Sequence, residues 1–144
     1  SKSRGEIRLD TKAPASRPKI HLNLMAEDED WEEMRNSVRI VRRIVEQPAF
    51  DPYRGKELSP GNKIQSDDEL NDFIRQTANS VYHLSGTCKM GIDSMAVVDP
   101  ECCVRGVSGL RVVDASIFPQ ITYANINAPT IMVAEKASEK ILNS

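Results

Sequence analysis

Polar and apolar positions alternate twice near the start of the chain. Glu6-Ile7-Arg8-Leu9 carries the period of two expected of a half-buried strand, and Lys19-Ile20-His21-Leu22-Asn23-Leu24 repeats it after a Pro-containing link. From Asp30 the period changes. Trp31, Met34, Val38, Val41 and Val45 recur at helical spacing, with acids early, arginines late and Pro48 just beyond, which predicts an amphipathic helix over Asp30 to Gln47. The stretch from Phe50 to Gly61 is rich in Pro and Gly and reads as loop. Ser66-Asp67-Asp68-Glu69 then has the form of a capping box ahead of Leu70, Phe73 and Ile74, so a second, shorter helix follows.

The character of the chain changes near residue 80. Ser80-Val81-Tyr82-His83-Leu84 reads as a strand running into the Gly-bounded turn Ser85 to Gly91, with His83 at the strand's end. Gly109-Leu110-Arg111-Val112-Val113-Asp114-Ala115-Ser116 reads as a short apolar strand. It ends in a carboxylate and two small residues, a combination that lets a ligand approach the backbone and suits a ribose or ribityl hydroxyl. A last helix is predicted from Asn127 to Leu142, with Asn127 able to cap it and Pro129 tolerated in the first turn. Its start would present free N–H groups and the positive end of the helix dipole. Ile131, Met132, Ala134, Ala137, Ile141 and Leu142 read as its packing face.

Composition bounds the function. The 144 residues suffice for one domain with its own core but are few for a two-domain cofactor enzyme. Nineteen Lys plus Arg against 21 Asp plus Glu give a formal charge of −2, which offers no basic footprint for nucleic acid. No run approaches the ~20 apolar residues needed to span a bilayer. The first ten residues alternate in charge and do not form a signal-peptide core. Three cysteines, two of them adjacent at Cys102 and Cys103, argue against a disulfide framework and for a reducing, cytoplasmic setting. His83, Cys88, Cys102 and Cys103 supply four conceivable metal ligands, but without the paired C-x-x-C spacing of a built site no metal is expected.

Each candidate also has a plain structural reading. A histidine beside a strand is by default a satisfied structural residue, and His21, lacking comparable neighbours, is read as one. Asp114 can serve as a turn cap, and Asn125 and Asn127 as ordinary helix-entry residues.

The ordered set of Tyr82 through Gly91, Gly106 to Pro119 and Asn125 through Leu142, with the opening Ser3-Arg4-Gly5-Glu6-Ile7, resembles the C-terminal region of the glucose/methanol/choline (GMC) oxidoreductases over nearly the whole chain. The resemblance implies an α+β architecture. A mostly antiparallel sheet from the first half and the strand near His83 would be backed by the Asp30 to Gln47 helix, and a C-terminal strand and helix would belong to the FAD domain. It implies oxidation of an alcohol CH–OH group with hydride transfer to FAD. His83 matches the family's active-site histidine. Asn125 matches the second position of the pair, which is Asn in members similar to choline-oxidising enzymes. Asp114 and Ala115 match FAD-contacting positions, and Asn127, Ala128 and Thr130 match the helix start facing the flavin's pyrimidine side. Leu84 departs from the family, which has Pro after the histidine.

The absence of any G-x-G-x-x-G is a larger departure, because the ADP-binding element of the family lies in an N-terminal FAD domain that this chain does not contain. The expectation is therefore a C-terminal domain, with residues 1–80 mainly substrate-domain sheet and helices and 81–144 the active-site and flavin-facing segment. Its partners would be that FAD domain and a small-molecule alcohol. Alone it should be inactive and prone to self-associate through surface normally buried between domains. The rival from another class is a non-catalytic module that docks a separate flavin-binding chain.

Overall fold

The computed structural model describes residues 1–143. Among the described residues, three α-helices and one antiparallel strand pair make the class α+β. The chain divides into two compact units, one over Ser1–Asn79 and the other from Ser80 onward.

In the first unit, β1 (Glu6–Arg8) pairs antiparallel with β2 (Lys19–His21), setting Ile7 opposite Ile20 and Glu6 opposite His21. The strands form where the alternation predicts, but they are shorter. Leu9 and Leu22 to Leu24 lie outside the ladder, and all six strand residues are exposed. No third strand joins the pair among the described residues, and neither helix of this unit packs broadly on it. Among the described residues the pair is therefore not extended into the larger helix-backed sheet expected, and its six residues are exposed where alternation implies half-burial.

Helix α1 (Asp28–Val45) carries Asp28, Glu29 and Asp30 in its first turn and Arg42 and Arg43 in its last, so both ends complement the helix dipole. Asp30 is 3% exposed. Its carboxylate accepts from Ser1 Oγ at 2.8 Å, from the backbone N–H of Lys2 at 2.6 Å and of Ser3 at 3.0 Å, and from Ser3 Oγ. Burial alone would raise its pKa, but these donors outweigh that and hold it well below the usual carboxylate range. Helix α2 (Asp67–Thr77) starts on a complete capping box, Glu69 N–H donating to Ser66 Oγ and Ser66 N–H to Glu69 Oε2. Its Leu70 and Ile74, four apart on one face, are fully buried, which contributes roughly 1.5–3 kcal/mol each. Arginines of α1 tie the two helices and the intervening loop together. Arg35 Nη1 donates to Asn71 Oδ1 at 2.8 Å, Arg39 pairs with Asp67, and Arg42 Nη2 reaches Glu57 Oε1 at 2.9 Å and the Ile64 carbonyl at 2.9 Å.

The second unit is loop-rich around one small core. Val98, Cys102, Ile117, Phe118 and Ala137 are buried, with Met90, Val97, Val112 and Val133 packed against them. The strands expected at the start of Ser80 to Gly91, ahead of its Gly-bounded turn, and over Gly109 to Ser116 are not formed. Among the described residues of this unit only single bridges occur, Met90 to Val98, Val98 to Val104 and Cys103 to Arg111. Side chains close the loops between them: Asp93 Oδ1 accepts from Met95 N–H at 2.9 Å, and Asp99 Oδ1 from Glu101 and Cys103 N–H, each at 2.9 Å. Glycines 106 and 109 turn the chain in left-handed conformation between the bridges.

Helix α3 (Asn127–Leu142) spans the predicted range. Its N-cap is Ile126 without a side-chain bond, so Asn127 is the first helical residue and does not act as the cap. The expected packing face is also narrower. Ala137 is buried and Val133 and Ala134 are half-buried, whereas Ile131, Met132, Ile141 and Leu142 are exposed, Leu142 at 85%. The unit's core is met along the line Ile126, Val133 and Ala137.

Candidate active site

His83 lies in an irregular stretch, not at a strand's end. Tyr82 before it takes a left-handed φ of 61° and donates its N–H to Ser80 Oγ at 3.0 Å. The imidazole is half-buried and makes no hydrogen bond among the described residues. Downstream, the same stretch is fastened by its backbone. Cys88 N–H donates to the Ser116 carbonyl at 2.9 Å, Met90 N–H to the Ile117 carbonyl at 2.7 Å and Gly91 N–H to the Val98 carbonyl at 3.1 Å. Arg105 Nη2 closes the turn on the Gly91 carbonyl at 2.7 Å.

Those anchors bring the His83 stretch to the segment that follows Asp114. The carboxylate of Asp114 caps the short 3-10 helix Ala115–Ile117, with Oδ1 accepting from Ser116 N–H at 2.7 Å. The side chain is exposed, and Oδ2 accepts nothing among the described residues. Ala115 packs on the core, fixing the backbone behind that carboxylate. The structural and functional readings of Asp114 are thus compatible, because one oxygen caps and the other remains open.

Asn125 is exposed on the link between the 3-10 helix and α3, where Thr122 Oγ1 donates to the Ala124 carbonyl at 2.9 Å. Asn127 and Ala128 are exposed at the start of α3, and no acid stands in its first turn. Their two N–H groups donate to nothing among the described residues, while Pro129 has no N–H to offer. Thr130 is turned inward, its N–H and Oγ1 donating to the Ile126 carbonyl at 2.9 and 2.7 Å. The sequence contains no sign of the Arg105 contact, which joins residues 14 apart without a motif.

Among the described residues no three His, Cys, Asp or Glu side chains converge as metal ligands, so His83, Cys88, Cys102 and Cys103 form no such group. Burial raises the pKa of the Cys102 thiol. A groove of about 650 Å³ in the first unit, lined by Met34, Val38, Val41, Val45 and Phe73, contains none of the candidate residues. No helix among the described residues is long and apolar enough to cross a membrane.

His83, Asp114, Asn125 and the start of α3, which has no side-chain cap, all lie in the second unit. A model of the GMC oxidoreductase family matches residues 1–134, and the chain belongs to that family. It is 56% identical over 141 residues to an oxygen-dependent choline dehydrogenase of Yersinia pseudotuberculosis, a match covering 98% of this chain and 25% of the relative. The fold is similar to pyridoxine 4-oxidase from Mesorbium loti, with TM-score 0.92 and 31% identity over 100% of this chain and 28% of that one. It is also similar to an FAD-dependent oxidoreductase from Chaetomium thermophilum, with TM-score 0.88 and 26% identity over 95% of this chain and 24% of that one. The chain therefore spans about a quarter of the length of the relatives it matches.

Proposed function

We propose that the polypeptide containing this chain oxidises the CH–OH group of an alcohol of the choline type, with His83 as the base that takes the hydroxyl proton. The observation that carries this reading is an imidazole that makes no hydrogen bond among the described residues, on a stretch whose backbone is fastened to the Asp114 segment. A neutral imidazole can accept a hydrogen bond from the alcohol and then its proton. The exposed amide of Asn125 orients the substrate oxygen by donating to it, without offering a second base.

The residues present fit FAD. The open Oδ2 of Asp114 would accept from a ribityl or ribose hydroxyl beside Ala115, and the free N–H groups of Asn127 and Ala128 suit a carbonyl or anionic edge, with Thr130 holding the helix start in shape. When bound, the flavin supplies the acceptor for the hydride that leaves the alcohol carbon.

In the full-length, FAD-loaded protein, His83→Ala should slow flavin reduction by alcohol about 10²–10⁴-fold while FAD content changes little. Stopped-flow reduction together with the flavin absorbance of the purified variant checks this. Parallel loss of both would make His83 a structural residue and sink the assignment.

A further inference from the structure

Between His83 and its first backbone anchor stands Gly86. Its φ is +89°, and a Cβ placed on it would sit 3.3 Å from the Phe118 carbonyl oxygen. That carbonyl has little freedom to move. Phe118 is buried, its N–H donates to the Ala115 carbonyl at 3.3 Å, and the carbonyls of Ser116 and Ile117 just before it are engaged by Cys88 and Met90. Alternate residues of one segment, Gly86, Cys88 and Met90, thus lie against three consecutive carbonyls of the other, Cys88 and Met90 through hydrogen bonds and Gly86 through the space a Cβ would take. Lys89 N–H donates to the Gly86 carbonyl at 3.2 Å, so the turn is closed immediately behind it. A methyl group at this point would have to displace the freer side of the contact, which is the irregular stretch carrying His83.

Gly106 and Gly109 provide a natural contrast. They share the left-handed backbone, with φ of +79° and +73°, but a Cβ on either meets nothing within 4 Å. The conformational demand is common to all three glycines, and the close approach distinguishes Gly86 from the other two.

We propose that Gly86 is a positioning residue for the oxidation: its missing side chain lets the His83 stretch lie against the Phe118 carbonyl, and this sets where the imidazole stands relative to the Asp114–Ala115 segment. The proposal rests on His83 as the base. A displacement of a few tenths of an ångström at Gly86, carried three residues to the imidazole, should show in the chemical step more than in binding, since misplacements of about 1 Å cost on the order of 10²-fold.

The test uses the full-length, FAD-loaded enzyme and compares Gly86→Ala and Gly86→Asn with Gly109→Ala and Gly109→Asn. Asn adopts left-handed φ with little penalty but still brings a Cβ, so the Asn pair removes most of the backbone strain and keeps the contact. It also remains informative if Gly86→Ala fails to fold. Both Gly86 variants should reduce flavin about tenfold more slowly at saturating alcohol, with KM within about twofold of wild type and FAD content and thermal midpoint retained. The Gly109 variants should reduce flavin at the wild-type rate. A wild-type rate in Gly86→Asn, a rate loss that follows FAD content, or an equal loss in the Gly109 pair would each overturn the positioning role. His83→Ala, measured in parallel, separates the two claims. If it reduces flavin normally the base assignment fails, whereas slow His83→Ala beside fast Gly86 variants removes the positioning role alone.

Discussion

At the scale of single residues, Asp30 shows how one carboxylate can hold a chain segment. It is buried at the start of α1 and accepts four hydrogen bonds from Ser1, Lys2 and Ser3, while Ser3 Oγ also accepts from the N–H groups of Ala26 and Glu27 at 2.8 and 3.2 Å. Because its folded pKa lies below the unfolded value near 3.9, the ionised native form gives stability that is fully present above about pH 4. That stability is lost as the pH falls from there toward the folded value. Asp30→Asn should cost about 2 kcal/mol at pH 7 and flatten the fall in stability between pH 4 and 2, as read from urea unfolding at a series of pH values. An unchanged pH slope in the variant would remove the clamp as its cause. Nothing in the sequence singles out Asp30 from its neighbours Asp28 and Glu29, because the acidic first turn looks the same whether a carboxylate meets water or a folded-back segment. His83 and Asn125 stand in an ordered family pattern, whereas the close approach at Gly86 depends on the Phe118 carbonyl, which no local pattern places there.

At the scale of elements, the helices were the most legible part. Helix α2 begins where Ser66 and Glu69 say it should, because a capping box is a contact between residues three apart and needs no help from the rest of the chain. Ser66→Ala should destabilise the chain by about 1 kcal/mol, and Glu69→Gln by less, measured as shifts in the denaturation midpoint. Equal stability of Ser66→Ala and wild type would show that tertiary packing of Leu70 and Ile74 alone fixes this end. The strands were less legible. Alternation located β1 and β2, but the apolar runs at Val81 to Leu84 and Leu110 to Val113 do not form strands; Tyr82 in the first and Gly109 just before the second take left-handed φ. A short apolar run has the same appearance whether it ends in a ladder or packs as an irregular segment on a core.

At the scale of the whole molecule, large apolar side chains remain uncovered in both units. Val41, Ile44, Val45 and Phe50 are exposed in the first, and Ile131, Met132 and Leu142 in the second. The isolated two-stranded pair is itself marginal without further strands or a helix on its apolar side. The relatives it matches are about four times as long, and exposed apolar surface of this size marks sites of association. The isolated chain should therefore bind no measurable FAD, and its average mass by sedimentation velocity should rise with concentration. A monodisperse monomer across the range would show that these surfaces are tolerated in water.

What the sequence determined by itself are the features set within about one turn or one hairpin: three helices with their ends, the position of the strand pair, the capping box and the order of the family pattern around His83, Asp114 and Asn125. Tertiary structure decided the rest. It settled that Ser80 to Gly91 is no strand, that α3 buries the line through Val133 and Ala137, and that the Cys88 and Met90 N–H groups meet the Ser116 and Ile117 carbonyls. The physical reason is one of range. Caps and helical periodicity are contacts between residues three or four apart, whereas a strand's partner, a buried face or a close approach such as Gly86 to Phe118 depends on residues dozens of positions away.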